Sequence, residues 1–356
     1  MNKYISIFFC VQIIALNLFA MQPKVTPVDY VRPQIDTHKS RWFFFSSASR
    51  PFGMVSLSPD TWTEGSWNSG YLYNSKEIRC FSHVHCWQLA GVPVMPTTGE
   101  VKGHKGMDAY KSTYSHETEI VKPGYHKVEL DTYQIRVELT STSRVGMHRY
   151  TYPAGEKANV LFDVGALLAH GKTEKAAIHR ISSKEIGGYS VLAPTSRRKK
   201  PVTVDFVARF NQNMTAFGGW EKEGKEKKLV HKNSIEGADI GGYASFGKLK
   251  KQTLLMKVGI SYVSEEQARI NLEKELAHWN FDRVKEDAFA EWNRELGKIT
   301  VEGGSEEEKI KFYTDLWHSL LGRHTFSDFN GKYIDNTGEE PVVRQVPLDN
   351  GTPTRN

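Results

Sequence analysis

A period-two pattern of apolar and polar residues runs through most of the first 263 positions. From about Val28 to Val263, short runs of β-branched and aromatic residues alternate with polar ones and are interrupted by Gly, Pro, Asn and Asp. Residues 134–140 and 202–210 alternate as half-buried antiparallel strands do, and residues 159–164 and 253–260 are more continuously apolar, as central strands are. About 230 residues of this kind predict a large antiparallel β-sandwich.

The period changes from two to helical at Ser264. Residues 264–267 (SEEQ) form a capping box, which predicts a helix start. The apolar positions of this first helix are Ala268, Leu272, Leu276 and Trp279. A second helix is predicted from Asp282, with Gly297 closing it. The sandwich is therefore followed by a helical segment.

A third helix is predicted between Ser305, which begins another capping sequence, and Gly322. Its apolar residues cover much of the circumference: Ile310, Phe312, Tyr313, Leu316, Trp317, Leu320 and Leu321. Such a helix needs neighbours, and the polar residues 325–356 do not supply them. We therefore expect this face to be exposed in the chain alone, and the sequence looks cut in mid-domain.

The amino terminus has the pattern of a secretory signal peptide. Residues 1–20 place Lys3 before an apolar stretch that ends at Ala20, and the polar sequence MQPKV follows at once. This stretch is a poorer match to a membrane anchor, which needs about 20 strongly apolar residues. No later stretch reaches that length. We expect a secreted, periplasmic or cell-surface protein without a membrane span once the signal is removed; an uncleaved anchor is the alternative.

Composition and charge exclude several classes of protein. The chain has 39% apolar and 12% aromatic residues, which rules out a disordered or collagen-like protein. Its net charge is only +6, and the densest basic run, residues 197–200, is short. We interpret that run as a solvated loop and expect no nucleic-acid partner.

Several ordered motifs are shared with one family. They include residues 50–61 (RPFGMVSLSPDT), 69–73 (SGYLY), 78–85 (IRCFSHVH), 144–150 (RVGMHRY) and 326–333 (FSDFNGKY). In these motifs the chain resembles the bacterial exo-acting, calcium-dependent α-mannosidases of glycoside hydrolase family 92, and the resemblance covers essentially the whole mature chain. One departure is residues 36–45 (DTHKSRWFFF), where the family has a glycine-rich stretch, and this puts linkage specificity in doubt.

The resemblance implies a domain organisation that agrees with the periodicity. Residues 1–20 are the signal peptide and residues 21–263 the N-terminal β-sandwich, or supersandwich. Residues 264–298 are a two-helix linker, and residues 299–356 begin a truncated (α/α)6 catalytic domain. The predicted fold class is thus mainly β, followed by a helical linker and the first helix of a barrel.

The resemblance also implies an activity. Family members hydrolyse terminal α-mannosyl linkages of mannose-rich glycans with inversion, and use calcium to bind and distort the mannose. Inversion needs a general acid and a general base about 6.5–9.5 Å apart. In the family both carboxylates and most calcium contacts come from the barrel, so the resemblance assigns no catalytic or metal-binding residue to this chain. The chain alone is expected to be inactive, and its partner is a mannose-containing glycan.

Residues 64–71 (EGSWNSGY) are the best local candidate for sugar contact. Trp67 is an indole framed by small residues, suited to the apolar face of a sugar ring, and Asn68 and Ser69 can hydrogen-bond to hydroxyl groups. The alternative is that Trp67 closes the end of the sandwich.

The second candidate is residues 81–88 (FSHVHCWQ). His83, His85 and Trp87 are predicted to contact substrate. On one strand the two histidines would point to the same face, as two metal ligands would, but no third ligand is visible. The main alternative is a structural pair of hydrogen-bonded histidines near the interdomain surface.

Two other functions stay open. A free-standing carbohydrate-binding sandwich without catalysis is the main alternative, and mutarotase-like chemistry lacks an evident acid–base pair. The sequence gives no indication of the oligomeric state.

Overall fold

The structure is a computed structural model, and it describes residues 25–38, 45–63, 70–86, 89–166, 172–196, 198–349 and 352–353. The predicted signal peptide lies outside these residues. Across the described ranges, no helix is long and apolar enough to cross a membrane.

The first 20 strands all lie before residue 262, and the longer helices follow them. In chain order the strands are β1 (Ser58–Asp60), β2 (Glu77–Ile78), β3 (Cys80–Ser82), β4 (Val84–Cys86), β5 (Leu89–Gly91), β6 (Val94–Thr98), β7 (Ser112–Thr113), β8 (Ile120–Lys122), β9 (Tyr125–Leu130), β10 (Ile135–Ser141), β11 (Val145–Thr151), β12 (Lys157–Phe162), β13 (Thr173–Arg180), β14 (Glu185–Leu192), β15 (Val202–Phe210), β16 (Ala216–Glu223), β17 (Glu226–Val230), β18 (Ser234–Gly237), β19 (Gly241–Lys248), β20 (Thr253–Ser261), β21 (Lys332–Asp335), β22 (Val342–Gln345), β23 (Leu348–Asp349) and β24 (Thr352–Pro353). The α-helices are α1 (Met107–Tyr110), α2 (Glu265–Glu275), α3 (Phe281–Leu296) and α4 (Glu306–Leu321), and Pro27–Tyr30 and Gly103–Lys105 are short 3-10 helices.

Two large antiparallel sheets form a sandwich, as the alternating pattern predicts. One has seven strands in the order β1-β3-β6-β12-β19-β16-β17, and the other has nine in the order β18-β13-β14-β15-β20-β11-β10-β9-β8. One core cluster takes residues from both sheets, including Phe162 and Phe206, whose rings stack 6.0 Å apart. The four predicted strands correspond to β10, β12, β15 and β20.

The outer face of the nine-stranded sheet is covered by α2. Val145, Met147 and Val207 point outward and pack against Ala268 and Leu272 of the helix. The predicted cap is confirmed, since the Ser264 side chain accepts a hydrogen bond from the Gln267 backbone N–H. Strands buried on both faces lose the clean alternation of a half-exposed strand, which explains their continuous apolar runs.

The first helix is shorter than its apolar spacing predicts. It ends at Glu275, although Trp279 continues the pattern. Lys257 Nζ donates a hydrogen bond to the carbonyl oxygen of Leu276 and lies 3.9 Å from the centre of the Trp279 ring. The ammonium group of Lys257 therefore pairs with a carbonyl oxygen at the end of α2. Trp279 lies in the loop after the helix and packs against the same apolar cluster as Ala268 and Leu272.

Helix α3 is fixed to the sandwich by hydrogen bonds as well as by apolar packing. It runs from Phe281 to Leu296, between the caps Asn280 and Gly297, and so begins one residue earlier than predicted. Trp292 is fully buried, and its Nε1 donates a hydrogen bond to the backbone oxygen of Ser49 at 2.7 Å. Arg50 Nη1 pairs with Glu291 at 2.7 Å.

The apolar face of α4 is covered more than the sequence indicates. Its capping box at Ser305 is confirmed. The expectation of an exposed face is wrong for Tyr313, Trp317 and Leu321, which are buried because Val28 and Val31 pack with Trp317 and with Trp292 of α3. The other four apolar residues of the face are half-buried: Ile310, Phe312, Leu316 and Leu320. The backbone N–H of Arg32 also donates to the Thr314 hydroxyl at 3.0 Å. The cover comes from a segment almost 300 positions earlier in the chain, which local periodicity does not reveal. The division into domains at residues 263 and 298 stays a prediction.

Candidate functional site

Four of the six predicted sugar-contacting residues, Trp67, Asn68, Ser69 and Trp87, lie outside the described residues. The described residues that flank them are Thr63 and Gly70, which border one loop, and the β4–β5 hairpin, which borders the other. His83 directly precedes this hairpin, and His85 belongs to its first strand, β4. The structure therefore describes the residues that flank both predicted loops.

His85 is a buried histidine paired with a carboxylate. Its Nε2 lies 2.9 Å from Asp60 Oδ1, and its Nδ1 lies 2.6 Å from the backbone oxygen of Ser56. Burial alone lowers the pKa of His85, but the charge of Asp60 and these hydrogen bonds outweigh that effect and raise it. Gly70, at φ +123°, lies directly over the ring, so that an added Cβ would be 3.4 Å from His85 Cδ2. The end of the Trp67 loop therefore rests on His85.

His83 belongs to a buried hydrogen-bonded chain that joins the two sheets. It follows β3 in a bend, and its Nε2 lies 2.8 Å from His148 Nε2 on β11 of the other sheet. His83 Nδ1 lies 2.7 Å from the carbonyl oxygen of Val92, and His148 Nδ1 lies 2.8 Å from the Tyr150 hydroxyl.

The carbonyl of Val92 determines where the protons are. A carbonyl can only accept, so His83 Nδ1 carries a hydrogen and, in the neutral ring, Nε2 accepts from His148. The Tyr150 hydroxyl then donates to His148. Burial lowers the pKa of His83 to about 4 and that of His148 well below its usual value, which keeps both rings neutral.

Both histidines are thus hydrogen-bonded structural residues, which is the main alternative raised by the sequence. All four ring nitrogens are engaged, so the pair does not have the arrangement of metal ligands. Direct contact of either histidine with a sugar stays a prediction.

A cavity of about 860 Å³ lies beside this cluster, between the nine-stranded sheet and the helical segment. We call it the junction cavity. Strands β14 and β15 form one wall, the start of α2 another, and the segment from Gly322 to Pro341 closes it. Its size and its position between two packed units are typical of small-molecule sites. His324 and Leu89 belong to its lining, which connects the cavity to the predicted loops.

His324 joins the cavity to the histidine cluster. Its Nδ1 lies 2.9 Å from the backbone oxygen of Gly53. Burial is the main reason that the pKa of His324 is lowered, and the charge of His85 lowers it further. A neutral imidazole therefore lines the cavity at this point.

Asp205 supplies a carboxylate to the lining of the junction cavity. Only 8% of it is exposed, and its side chain has no hydrogen bond or ion pair within the described residues. Burial, together with the negative charges of Glu265 and Asp328, raises the pKa of Asp205 to about 7. A carboxyl group of this kind in a cavity is a candidate binding group.

Arg198 also belongs to the wall of this cavity. Its terminal nitrogens donate to the carbonyl oxygens of Leu192, Ala193 and Lys200, but its buried Nε has no partner in the described part of the chain. The guanidinium is therefore held by backbone carbonyl oxygens, and its buried Nε is closed off from the cavity.

One group of side chains in the described ranges has the spacing of a metal site. The ligand atoms of Asp36, Asp315 and His318 all lie within 4.8 Å of one another. Calcium takes six to eight oxygen ligands, and two carboxylates with one imidazole do not fit it. The expected calcium is therefore not assigned to these residues.

The sequence did not identify Asp205, Arg198 or His324 as site residues. Asp205 occupies a polar position of an alternating strand, which predicts exposure, and Arg198 lies in the basic run interpreted as solvated. Asp205 is buried by segments that are distant in sequence, whereas the half-buried guanidinium of Arg198 is held by carbonyl oxygens close to it in the chain. A charged residue on a strand face that also carries Val207 is the signal that could have suggested burial.

Comparison with known families gives two matches that together cover most of the chain. The glycosyl hydrolase family 92 N-terminal domain matches residues 30–261, and the family 92 catalytic domain matches residues 267–345. An uncharacterized secreted glycosidase from Arthroderma benhamiae is 24% identical over 330 residues, which cover 84% of this chain and 40% of the relative.

Solved structures give the same result. A family GH92 α-mannosidase from Bacteroides thetaiotaomicron has a TM-score of 0.79 at 28% identity, covering 92% of this chain and 45% of that one. A structure of that α-mannosidase in complex with mannoimidazole also has a TM-score of 0.79. An inverting mannosidase of the family, from the same species, shares the fold with a TM-score of 0.77 at 23% identity. The chain spans less than half the length of these relatives.

Proposed function

Since this chain belongs to glycosyl hydrolase family 92, we propose that it supplies the sandwich and first helices of an exo-acting α-mannosidase. The enzyme would hydrolyse terminal α-mannosyl linkages of mannose-rich glycans with inversion. The observation that carries this proposal is the match of 91% of the chain, at 28% identity, to a family α-mannosidase solved with mannoimidazole.

We place the general acid, the general base and the calcium ion in the (α/α)6 barrel of the family fold, outside the matched residues. An inverting site needs two carboxyl groups about 6.5–9.5 Å apart, on opposite sides of the bond that breaks. Calcium, when bound, would hold and distort the mannose ring. The residues of this chain bind and orient the sugar.

The two predicted loops would make the sugar contacts. Trp67 offers an apolar ring face, Asn68 and Ser69 offer hydrogen bonds, and Trp87 belongs to the second loop. His83 and His85 are both buried, and His85 contacts Gly70 at the end of the first loop. These observations support a role for the two histidines in positioning that loop.

We propose that the enzyme acts outside the cytoplasm, in a periplasm or at the cell surface. The signal-like residues 1–20 support this localisation, and the fungal relative is described as secreted.

Titration of the chain with mannoimidazole tests the proposal. We expect saturable binding, seen at the amide of Gly70, and weaker binding of glucoimidazole. Trp67→Ala should abolish binding, whereas Phe329→Ala, at a partly exposed aromatic residue elsewhere, should not. Equal or tighter binding of glucoimidazole would refute a mannoside site. Release of p-nitrophenol from p-nitrophenyl α-mannoside by the chain alone would refute the placement of the acid and base.

A further inference from the structure

Asp205 lies on the outer face of the nine-stranded sheet, where its neighbours across the strands leave its carboxylate without a donor. Its partner on β14 is Tyr189, and its partner on β20 is Ser261. Cross-strand partners point to the same face and lie about 5 Å apart. The Ser261 hydroxyl, however, donates a hydrogen bond to Asp328 Oδ2 at 2.9 Å. This hydroxyl is therefore not available to Asp205.

The Asp205 carboxylate is accessible from the junction cavity. Asp205 lines the cavity and is 8% exposed, and none of the described residues donates a hydrogen bond to its side chain. Its oxygens do not belong to the unpartnered atoms that are fully enclosed, in contrast to Arg198 Nε. A ligand in the cavity can therefore reach this carboxylate. Because an ionised carboxylate only accepts hydrogen bonds, the site selects a ligand that donates.

The charges around Asp205 favour a positive ligand. Glu265 at the start of α2 and Asp328 in the segment after α4 both raise the pKa of Asp205, and no positive charge among the described residues offsets them. Arg198 lines the cavity, but its terminal nitrogens are directed to three backbone carbonyl oxygens. His324 is neutral there, because burial lowers its pKa. An anion would be repelled at Asp205, whereas an ammonium group would pair with it.

The remaining walls of the cavity suit the apolar part of an organic cation. Tyr189, Tyr262 and Phe326 line it, and the rings of Tyr262 and Phe326 lie 5.2 Å apart. Aromatic faces attract cations as well as apolar groups. Three aliphatic side chains add to this lining: Val191, Val202 and Ile334. A hydrated metal ion would leave these apolar walls uncovered, whereas an ammonium group on an apolar body would match both parts of the cavity.

We propose that the junction cavity binds an organic ammonium ion, whose nitrogen donates hydrogen bonds to the Asp205 carboxylate and whose apolar body packs between the aromatic and aliphatic walls. A primary amine with an aryl-alkyl chain is the simplest ligand of this class. The inference goes beyond the proposed function, because it requires neither mannose nor hydrolysis.

Methyl NMR of the chain at pH 8 tests this site, since Asp205, with a pKa of about 7, is then mostly ionised. Val191, Val202 and Ile334 serve as reporters in the cavity, and Val137 and Leu139 serve as controls in the sandwich core. The probe is 4-phenylbutylamine, whose ammonium group is charged at this pH. Its matched compounds are neutral 4-phenylbutan-1-ol and the anion 4-phenylbutyrate.

The charge of the probe should decide its affinity. The amine should shift the reporters saturably, with a Kd of about 1 mM, and leave the controls unchanged. The alcohol has the same apolar body without the charge, so it should bind about tenfold more weakly or less. The anion should not shift the reporters, because it meets the negative charges at Asp205.

Two variants make the test specific to the residues of the site. Asp205→Asn keeps the shape of the side chain and removes its charge, so it should weaken amine binding about tenfold or more and leave alcohol binding unchanged. Asp131→Asn, at an exposed turn residue, is its control. Phe326→Leu should weaken amine binding about two- to fivefold. Phe329→Leu, at a partly exposed aromatic residue outside the lining, should not.

The outcomes separate this inference from the proposed function. Reporters that do not respond to the amine, an alcohol that binds as tightly as the amine, or an Asp205→Asn chain that binds the amine as the wild type does would each overturn the ammonium site. If the amine shifts the reporters and mannoimidazole does not shift Gly70, the inference holds while the mannoside proposal fails. The reverse result refutes the inference and leaves the mannoside proposal standing.

Discussion

Asp205 is a buried carboxylate whose position lowers the stability of the fold. Its side chain is buried without a partner on the outer face of β15, among the negative charges of Glu265 and Asp328. Leaving such a group unpaired costs about 1–3 kcal/mol, a large part of the stability of a typical domain. Residues that reduce stability in this way are concentrated at functional sites.

The pKa of Asp205 leads to a pH-dependent prediction. Burial, with the neighbouring charges, raises the folded-state pKa to about 7, above the unfolded value of about 3.9. The folded state therefore binds this proton more tightly, and its stability falls as pH rises from about 4 through 7. Asp205→Asn should be more stable than the wild type by about 2 kcal/mol at pH 8, and by less at pH 5, in urea unfolding.

Asp131→Asn provides the control for that measurement, because Asp131 is exposed. It should leave the unfolding free energy unchanged at both pH values. A wild type and an Asp205→Asn chain with the same pH profile would contradict the assignment of an unpaired carboxylate.

At the scale of elements, single arginines attach the helices to the sandwich. Arg50 Nε donates to the Ser141 backbone oxygen at 2.7 Å, and its two other nitrogens reach Glu291 and the carbonyl oxygen of Val284 in α3. Arg144 makes a similar connection between β11 and α2 through Glu275 at 2.6 Å. A planar guanidinium can make several such bonds at once, and lysine cannot replace it.

Removing the Arg50 side chain should therefore loosen α3. Arg50 is only 10% exposed, and Arg50→Ala would leave Glu291 and two carbonyl oxygens without this donor. We expect a loss of about 3 kcal/mol, which Arg50→Lys does not restore. Urea unfolding followed by tryptophan fluorescence measures it, since Trp292 lies in the same helix.

Arg294→Ala is the matched control, because Arg294 also approaches Glu291, at 3.5 Å, but is 62% exposed. Its loss should cost less than about 0.5 kcal/mol. Equal effects of the two substitutions would show that Arg50 contributes no more than a surface ion pair.

The elements also show which parts of the fold can be predicted from sequence. Strand β15 and the starts of α2 and α4 follow from local patterns: alternation in the first case, and capping side chains at Ser264 and Ser305 in the others. The contact between His83 and His148 depends on how one sheet stacks on the other, and no local pattern encodes that. The burial of Asp205 depends on segments about 60–130 positions away in the chain.

For the whole molecule, the expected calcium leads to a prediction about this chain alone. Within the described ranges, Asp36, Asp315 and His318 form the group with metal-site spacing, and this group does not fit calcium. We therefore predict that neither calcium chloride nor a chelator changes the melting temperature of the chain. A complete family 92 α-mannosidase is the positive control.

A melting temperature that rises with calcium, and no longer does so in Asp36→Asn, would contradict this prediction. It would place the ion on the residues of this chain. Thermal unfolding followed by circular dichroism is sufficient for the comparison, since ligand binding to the folded state raises the melting temperature.

The contact between the N-terminal segment around Arg32 and α4 also affects the order in which parts of the chain fold during synthesis. The Arg32–Thr314 hydrogen bond joins residues 282 positions apart in the chain. At about 5–20 residues per second, a ribosome needs roughly 15–60 s to make the second partner after the first. Val28 and Val31 lack the residues that cover them until α3 and then α4 have been made, while the intervening strands can already pair. These residues, made early, are thus among the last to reach their final positions.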